Sequence, residues 1–190
     1  MPRRPTGLAH ISEKDMAAFR MLWCVEHTPR QLLNLTDSRI KALSKLGYIE
    51  CCRNAKNVPI IHCTKAGRNF ISQLPGFENR RAYVSTHSPA HNCKLATIYA
   101  EKSPEQQQNW RTERELAELC HDRMGELRQQ DFDRWSDLQS SPWSPADGGV
   151  MSDSGELEEA IEVITVNYGD LECKEVFARV LDAPISYYKA

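Results

Sequence analysis

Apolar residues recur at helical spacing through the first third of the chain and then change period. Between Ser12 and about Glu26, the residues Met16, Phe19, Leu22, Trp23 and Val25 mark one side of a helix, with Ser12 as N-cap and Asp15 in its first turns. Thr28 and Pro29 predict a second, short helix through Leu33, because proline suits a first helical position whose N–H has no partner anyway. A third helix is capped by Thr36-Asp37-Ser38, repeats Ile40, Leu43 and Leu46 at intervals of three, and stops at Gly47. The period then shortens to that of strands: 48–52 and 58–63 flank a polar turn at 53–57 and predict a hairpin. A further helix is expected from Asn69 to Leu74, ending before Pro75-Gly76.

The second half patterns differently. The polar run Ser85-Thr86-His87-Ser88-Pro89 predicts a linker at 83–90 between a domain at 1–82 and another at 91–190. Helix is expected from His91 to Glu101, and again from Ser103 through Trp110, Leu116, Leu119 and Cys120 toward Trp135. Ser140 to Gly149, with Pro142, Pro145 and a glycine pair, reads as loop. The β-branched run from Ala160 to Val166 predicts a strand buried on both faces, and Leu171 to Leu181 a helix turning Val176, Phe177 and Val180 inward. The fold class is α+β.

Charge sharpens that division. The net charge of -2 over 190 residues conceals 14 Lys and Arg against 6 Asp and Glu in residues 1–82, a balance of +8, and 10 against 20 thereafter, a balance of -10. Clustered Lys and Arg gain affinity for a polyanion by releasing its counterions, so the basic half is the candidate for nucleic acid. No apolar run reaches membrane-spanning length and the start lacks the apolar stretch of a signal peptide, so a cytoplasmic protein with no membrane partner is expected. Seven scattered cysteines, an odd number with no Cys-x-x-Cys pair, predict reduced thiols. A zinc site drawn from His62, Cys63, His87, His91 and Cys93 matches no ligand spacing, and small buried thiols and surface histidines are the expected reading of these five.

Three helices followed by a hairpin, with a short turn before the third, is the order of a winged helix-turn-helix. The string from Ser38 to Ile49, followed after the hairpin by Thr64-Lys65-Ala66-Gly67, resembles the third helix, wing and Thr-x-x-Gly exit of many bacterial winged-helix proteins. At about 100° per residue, Ser38, Lys41, Ser44 and Lys45 fall opposite Leu43 and Leu46, where hydroxyls and ammonium groups meet base edges or phosphates, and Arg39 falls nearer the apolar side. Arg30 and Gln31 begin helix two, which would cross the backbone, while Arg53 and Lys56 at the wing tip would reach a flanking phosphate.

In the acidic half, Asp147 in the turn Pro145-Ala146-Asp147-Gly148 and Glu162 on the buried strand resemble the acidic pair of the PD-(D/E)XK nuclease core, with Ile164 where that core carries its lysine. Isoleucine can neither orient water nor stabilise developing negative charge. A winged helix, His91 before a helix, the string Trp110-Arg111-Thr112-Glu113-Arg114-Glu115-Leu116, Asp147-Gly148 and Glu162 together resemble the replication-relaxation family, which is similar to MobC-type mobilisation relaxases of plasmids, phages and integrative elements. The resemblance implies a small α/β domain of degenerate nuclease fold. In it Asp147, Glu162 and Glu113 or Lys174 take the nuclease-like positions, and Mg²⁺ or Mn²⁺ is needed only if that site is active. The expected function is binding of double-stranded DNA, with the acidic half forming a homodimer or recruiting another protein of the same mobile element, in replication, transfer or regulation. The alternative is a metal-dependent nicking enzyme using Asp147 and Glu162.

Overall fold

A capping box opens the first helix, α1 (Glu13–Val25): the Asp15 amide donates to Ser12 Oγ at 3.2 Å, and the Asp15 carboxylate accepts from Ser12 N at 2.8 Å. In this computed structural model, residues 10–54, 57–84, 88–165, 169 and 171–190 are described. The chain divides into two compact units, Met1–Ala100 and Glu101–Ala190, and both helix and strand occur in each. Among the described residues no helix is long and apolar enough to cross a membrane.

In the first unit, α1 buries Phe19, Leu22, Trp23 and Val25, each fully enclosed side chain contributing roughly 2 kcal/mol by removal from water. Met16 is only half-buried. The helix expected at 28–33 is not continuous: β1 (His27–Pro29) is a strand, and only a 3₁₀ turn follows at Arg30–Leu33. Pro29 is extended (ψ 131°) because it pairs with Ile60 across the sheet, and Asn34 in the left-handed region ends the turn. Tertiary pairing has overridden a local signal that was sound in itself. Next, α2 (Asp37–Lys45) is capped by Thr36, whose hydroxyl accepts from Arg39 N at 3.2 Å. The strands β2 (Ile49–Arg53) and β3 (Pro59–Cys63) form an antiparallel hairpin with Ile49 opposite Cys63, and the sheet order is β1-β3-β2.

α3 (Lys65–Ile71) begins four residues before the expected Asn69. Its cap explains the Thr-x-x-Gly exit. The Thr64 hydroxyl donates to Gly47 O at 2.6 Å and accepts from Gly67 N at 2.9 Å, tying the end of the hairpin to the end of α2. A Cβ on Gly67 would lie 2.0 Å from Tyr48 O, so only glycine lets the backbones meet there. Residues 83–90 do not form a free linker as far as they are described: Tyr83 is wholly buried and its amide donates to Trp23 O at 2.8 Å. α4 (Pro89–Glu101) follows and buries Asn92, Leu95 and Tyr99, and the first compact unit extends to Ala100.

The second unit interrupts the long helix expected from Ser103 toward Trp135. α5 (Pro104–Gln108) is followed by β4 (Trp110–Thr112), then α6 (Glu113–Gln130) and α7 (Phe132–Gln139). Thr112 and Glu115 form a new capping box, and Trp110 is wholly buried against Gly148, where a Cβ would lie 2.4 Å from the indole. The expected loop ends at Asp147 rather than Gly149, because Gly148 and Gly149 join β5 (Gly148–Met151), which pairs antiparallel with β4 and with β6 (Leu157–Ile164). Ala160, Ile161, Glu162 and Val163 are buried, as two covered faces require. α8 (Leu171–Val180) then crosses over so that β7 (Ile185–Lys189) runs parallel to β6, in the order β4-β5-β6-β7. The core joins Leu116, Cys120 and Leu127 of α6 to Val176, Phe177 and Val180 of α8.

Candidate nucleic-acid interface and a buried charge cluster

Burial sorts the faces of α2. Ile40 and Leu43 are 6% and 0% exposed, whereas Ser38, Lys41, Ser44 and Lys45 all face solvent. Arg39 does not join them. Its guanidinium grips the buried Asp15 carboxylate through two bonds, Nε to Oδ1 at 2.7 Å and Nη2 to Oδ2 at 2.9 Å, and donates to His10 O at 2.8 Å. Burial works against ionisation of Asp15, but the bonds from Arg39 and Ser12 outweigh it and hold the carboxyl below its usual range. Arg39 thus fastens α2 to α1 rather than facing outward.

Arg30 is half-committed as well: its Nη2 donates to Leu35 O and to Asp37 Oδ1, both at 2.8 Å. Gln31 is exposed beside it. Both line an open cleft of about 730 Å³ with His10, Lys14 and Thr36. Lys14 is exposed on the first turn of α1, and sequence reasoning missed it because nothing in its local pattern sets it apart from any other solvated helix lysine. On the hairpin, Arg53 is exposed and donates to Asn57 O at 2.8 Å across the turn, while Lys56 lies outside the described residues.

A network that sequence reasoning did not find holds the sheet of this unit. Buried Glu26 accepts from Arg68 Nη1 at 2.8 Å, and its carboxylate lies 3.6 Å from His62 Nε2 and 3.9 Å from His27 Nδ1. The rings of His27 and His62, cross-strand neighbours on β1 and β3, stack at 4.6 Å, and Asn92 of α4 lies 3.1 Å from His27 Nδ1. Burial and the neighbouring His62 push the His27 pKa down, against the pull of Glu26.

No family model, curated protein or solved structure matches the chain. Its chemistry therefore rests on its own residues.

In the second unit the fold brings Asp147, Glu162 and Lys174 together. Glu162 Oε2 accepts from Asp147 N at 3.1 Å and from Lys174 Nζ at 3.0 Å; Asp147 Oδ2 accepts from Val163 N at 2.7 Å; the Lys174 ammonium also donates to Pro145 O. The three are 1%, 2% and 7% exposed. Glu113 stands half-buried in the first turn of α6, and Ile164 is half-buried at the end of β6.

Among the described residues no group of three or more His, Cys, Asp or Glu side chains is arranged to hold a metal ion. Of the five zinc candidates, His62 is engaged with Glu26, and His91 is buried beside the Asn92 amide at 3.2 Å. Burial pushes the Cys63 thiol up to about 12 and the Cys93 thiol up to about 11, the reverse of what a thiolate ligand needs. His87 lies outside the described residues.

Proposed function

We propose that the first unit carries a winged helix-turn-helix that binds double-stranded DNA, with α2 entering the major groove and the β2–β3 hairpin as the wing. The observation that carries this reading is the exposed Ser38, Lys41, Ser44 and Lys45 face standing opposite the buried Ile40 and Leu43. Hydroxyl and ammonium groups at that spacing suit base edges and phosphates. Lys14, Arg30 and Gln31 in the adjoining cleft, and Arg53 on the hairpin, would hold the backbone on either side. The acidic second unit, in this reading a degenerate nuclease-like fold similar to that of the replication-relaxation family, serves assembly: it forms a homodimer or engages another protein of a mobile genetic element. Two half-sites would multiply a modest single-domain affinity.

A mobility-shift titration at several salt concentrations tests the reading. Binding should weaken steeply with salt, each lysine lost from a phosphate contact reducing the slope of log K against log salt by roughly 0.9. Absence of binding at low salt defeats it. One observation favours the competing nicking enzyme: Lys174 brings to Glu162 the amine that Ile164 lacks. Incubation of supercoiled plasmid with Mg²⁺ or Mn²⁺ decides that point, and nicking abolished by Asp147→Ala would establish the enzyme.

A further inference from the structure

The resemblance to nucleases implies a divalent metal between Asp147 and Glu162, and the geometry does not fit one. Mg²⁺ and Mn²⁺ seek octahedral oxygen coordination and keep several waters, which requires carboxylates open to solvent. Here both are almost wholly enclosed. One oxygen of each is already bound within the fold: Glu162 Oε2 accepts from the Asp147 amide and the Lys174 ammonium, and Asp147 Oδ2 accepts from the Val163 amide. The ammonium itself sits on Glu162 Oε2 and Pro145 O, a carboxylate and a carbonyl of the kind a hard cation would take.

We propose that the Lys174 ammonium is a tethered cation standing where a divalent metal would sit, so that Asp147, Glu162 and Lys174 form a charge lock fastening α8 to β6 and to the loop before β5. A second bond joins the same two pieces, Ser144 N donating to Cys173 O at 3.3 Å, so the first turn of α8 is stitched to that loop at adjacent residues. A covalently attached positive charge neutralises a buried carboxylate without needing solvent access, and its removal leaves the carboxylate uncompensated in a dry site. Lys174 is thus a structural counter-ion in the native chain. The inference is independent of DNA binding by the first unit.

Thermal unfolding of the full chain, with and without millimolar Mn²⁺, tests this together with calorimetric titration of Mn²⁺. The wild type should neither bind Mn²⁺ at this site nor shift its midpoint. Lys174→Met should lose roughly 5–10 °C, with or without Mn²⁺. Lys174→Met combined with Glu162→Gln should recover most of the loss and ignore the metal. Wild-type binding of Mn²⁺ that disappears in Asp147→Asn would overturn the proposal, as would a Lys174→Met protein that keeps the wild-type midpoint. Should Lys174→Met fail to fold, folding of the double variant supports the lock, and failure of both variants overturns it.

Discussion

Arg39 and Lys41 lie two positions apart on one helix with the same charge, and their surroundings assign them opposite work. Arg39 closes a two-bond ion pair on a buried carboxylate, whereas Lys41 faces solvent. Arg39→Ala should therefore destabilise the first unit by about 1–3 kcal/mol in urea unfolding, the cost of stranding Asp15 discounted for the partial exposure of the guanidinium. Replacing Lys41 and Lys45 by Ala should leave the urea midpoint nearly unchanged and weaken DNA binding; unchanged affinity would place the contact face elsewhere. The acid branch of the stability curve carries the same information. Because the Asp15 pKa is lowered in the fold, its contribution is complete above the ordinary carboxylate range and is lost as pH falls through the depressed value. Arg39→Ala should flatten that branch. His27 acts higher on the scale. With its pKa pushed down by burial and His62, the unfolded chain takes up the proton first, so stability should fall as pH drops below the ordinary imidazole range of about 6.5. His27→Gln should reduce that slope, and an unaltered pH profile would show that His27 contributes nothing to it.

Turns and caps set the elements more firmly than apolar spacing does. The hairpin exit depends on Thr64 bonding both Gly47 O and Gly67 N, and on Gly67 lying against Tyr48 O. Gly67→Ala should cost about 1–3 kcal/mol or more, because the obstacle is backbone and cannot swing aside. Near-wild-type stability of that variant would mean that α3 shifts freely. Elsewhere, apolar spacing misled. Trp110 and Leu116 fit one helix on paper, yet Trp110 belongs to β4 and fills the space left by Gly148, and the new helix starts at the Thr112–Glu115 capping box. That box was readable in the sequence. The strand β1 was not, since Pro29 becomes extended only by meeting Ile60, which lies some thirty residues away along the chain.

At the scale of the molecule, the charge division and the structural division do not coincide. Net charge changes sign near residue 82, whereas the first compact unit runs on to Ala100 and includes α4. Leu95 and Tyr99 are fully enclosed, and Asn92 reaches His27 on β1, so α4 completes the unit. A fragment of residues 1–100 should unfold cooperatively and, on the proposed reading, bind a single half-site more weakly than the whole chain binds two. A fragment ending at residue 82 lacks both Tyr83 and α4 and should unfold at a markedly lower midpoint by circular dichroism. Equal stability of the two fragments would restore the boundary to the polar stretch at 83–90.

Alone, the sequence determined the α+β class, α1 and α2 with their caps, the hairpin after them, the buried β6 strand and the outward face at Ser38, Lys41, Ser44 and Lys45. All of these follow from periodicity and capping, which act over a few neighbouring residues. Only the tertiary structure decided that Arg39 turns inward, that residues 27–29 join a sheet, that Glu26 gathers Arg68 and His62, and that Lys174 meets Glu162. Each of those depends on groups 24 to 42 positions apart, or twelve across the α8 crossover, brought together by packing. A charged side chain shows the same letter in the sequence whether it serves a ligand or a buried partner, and burial is what separates the two.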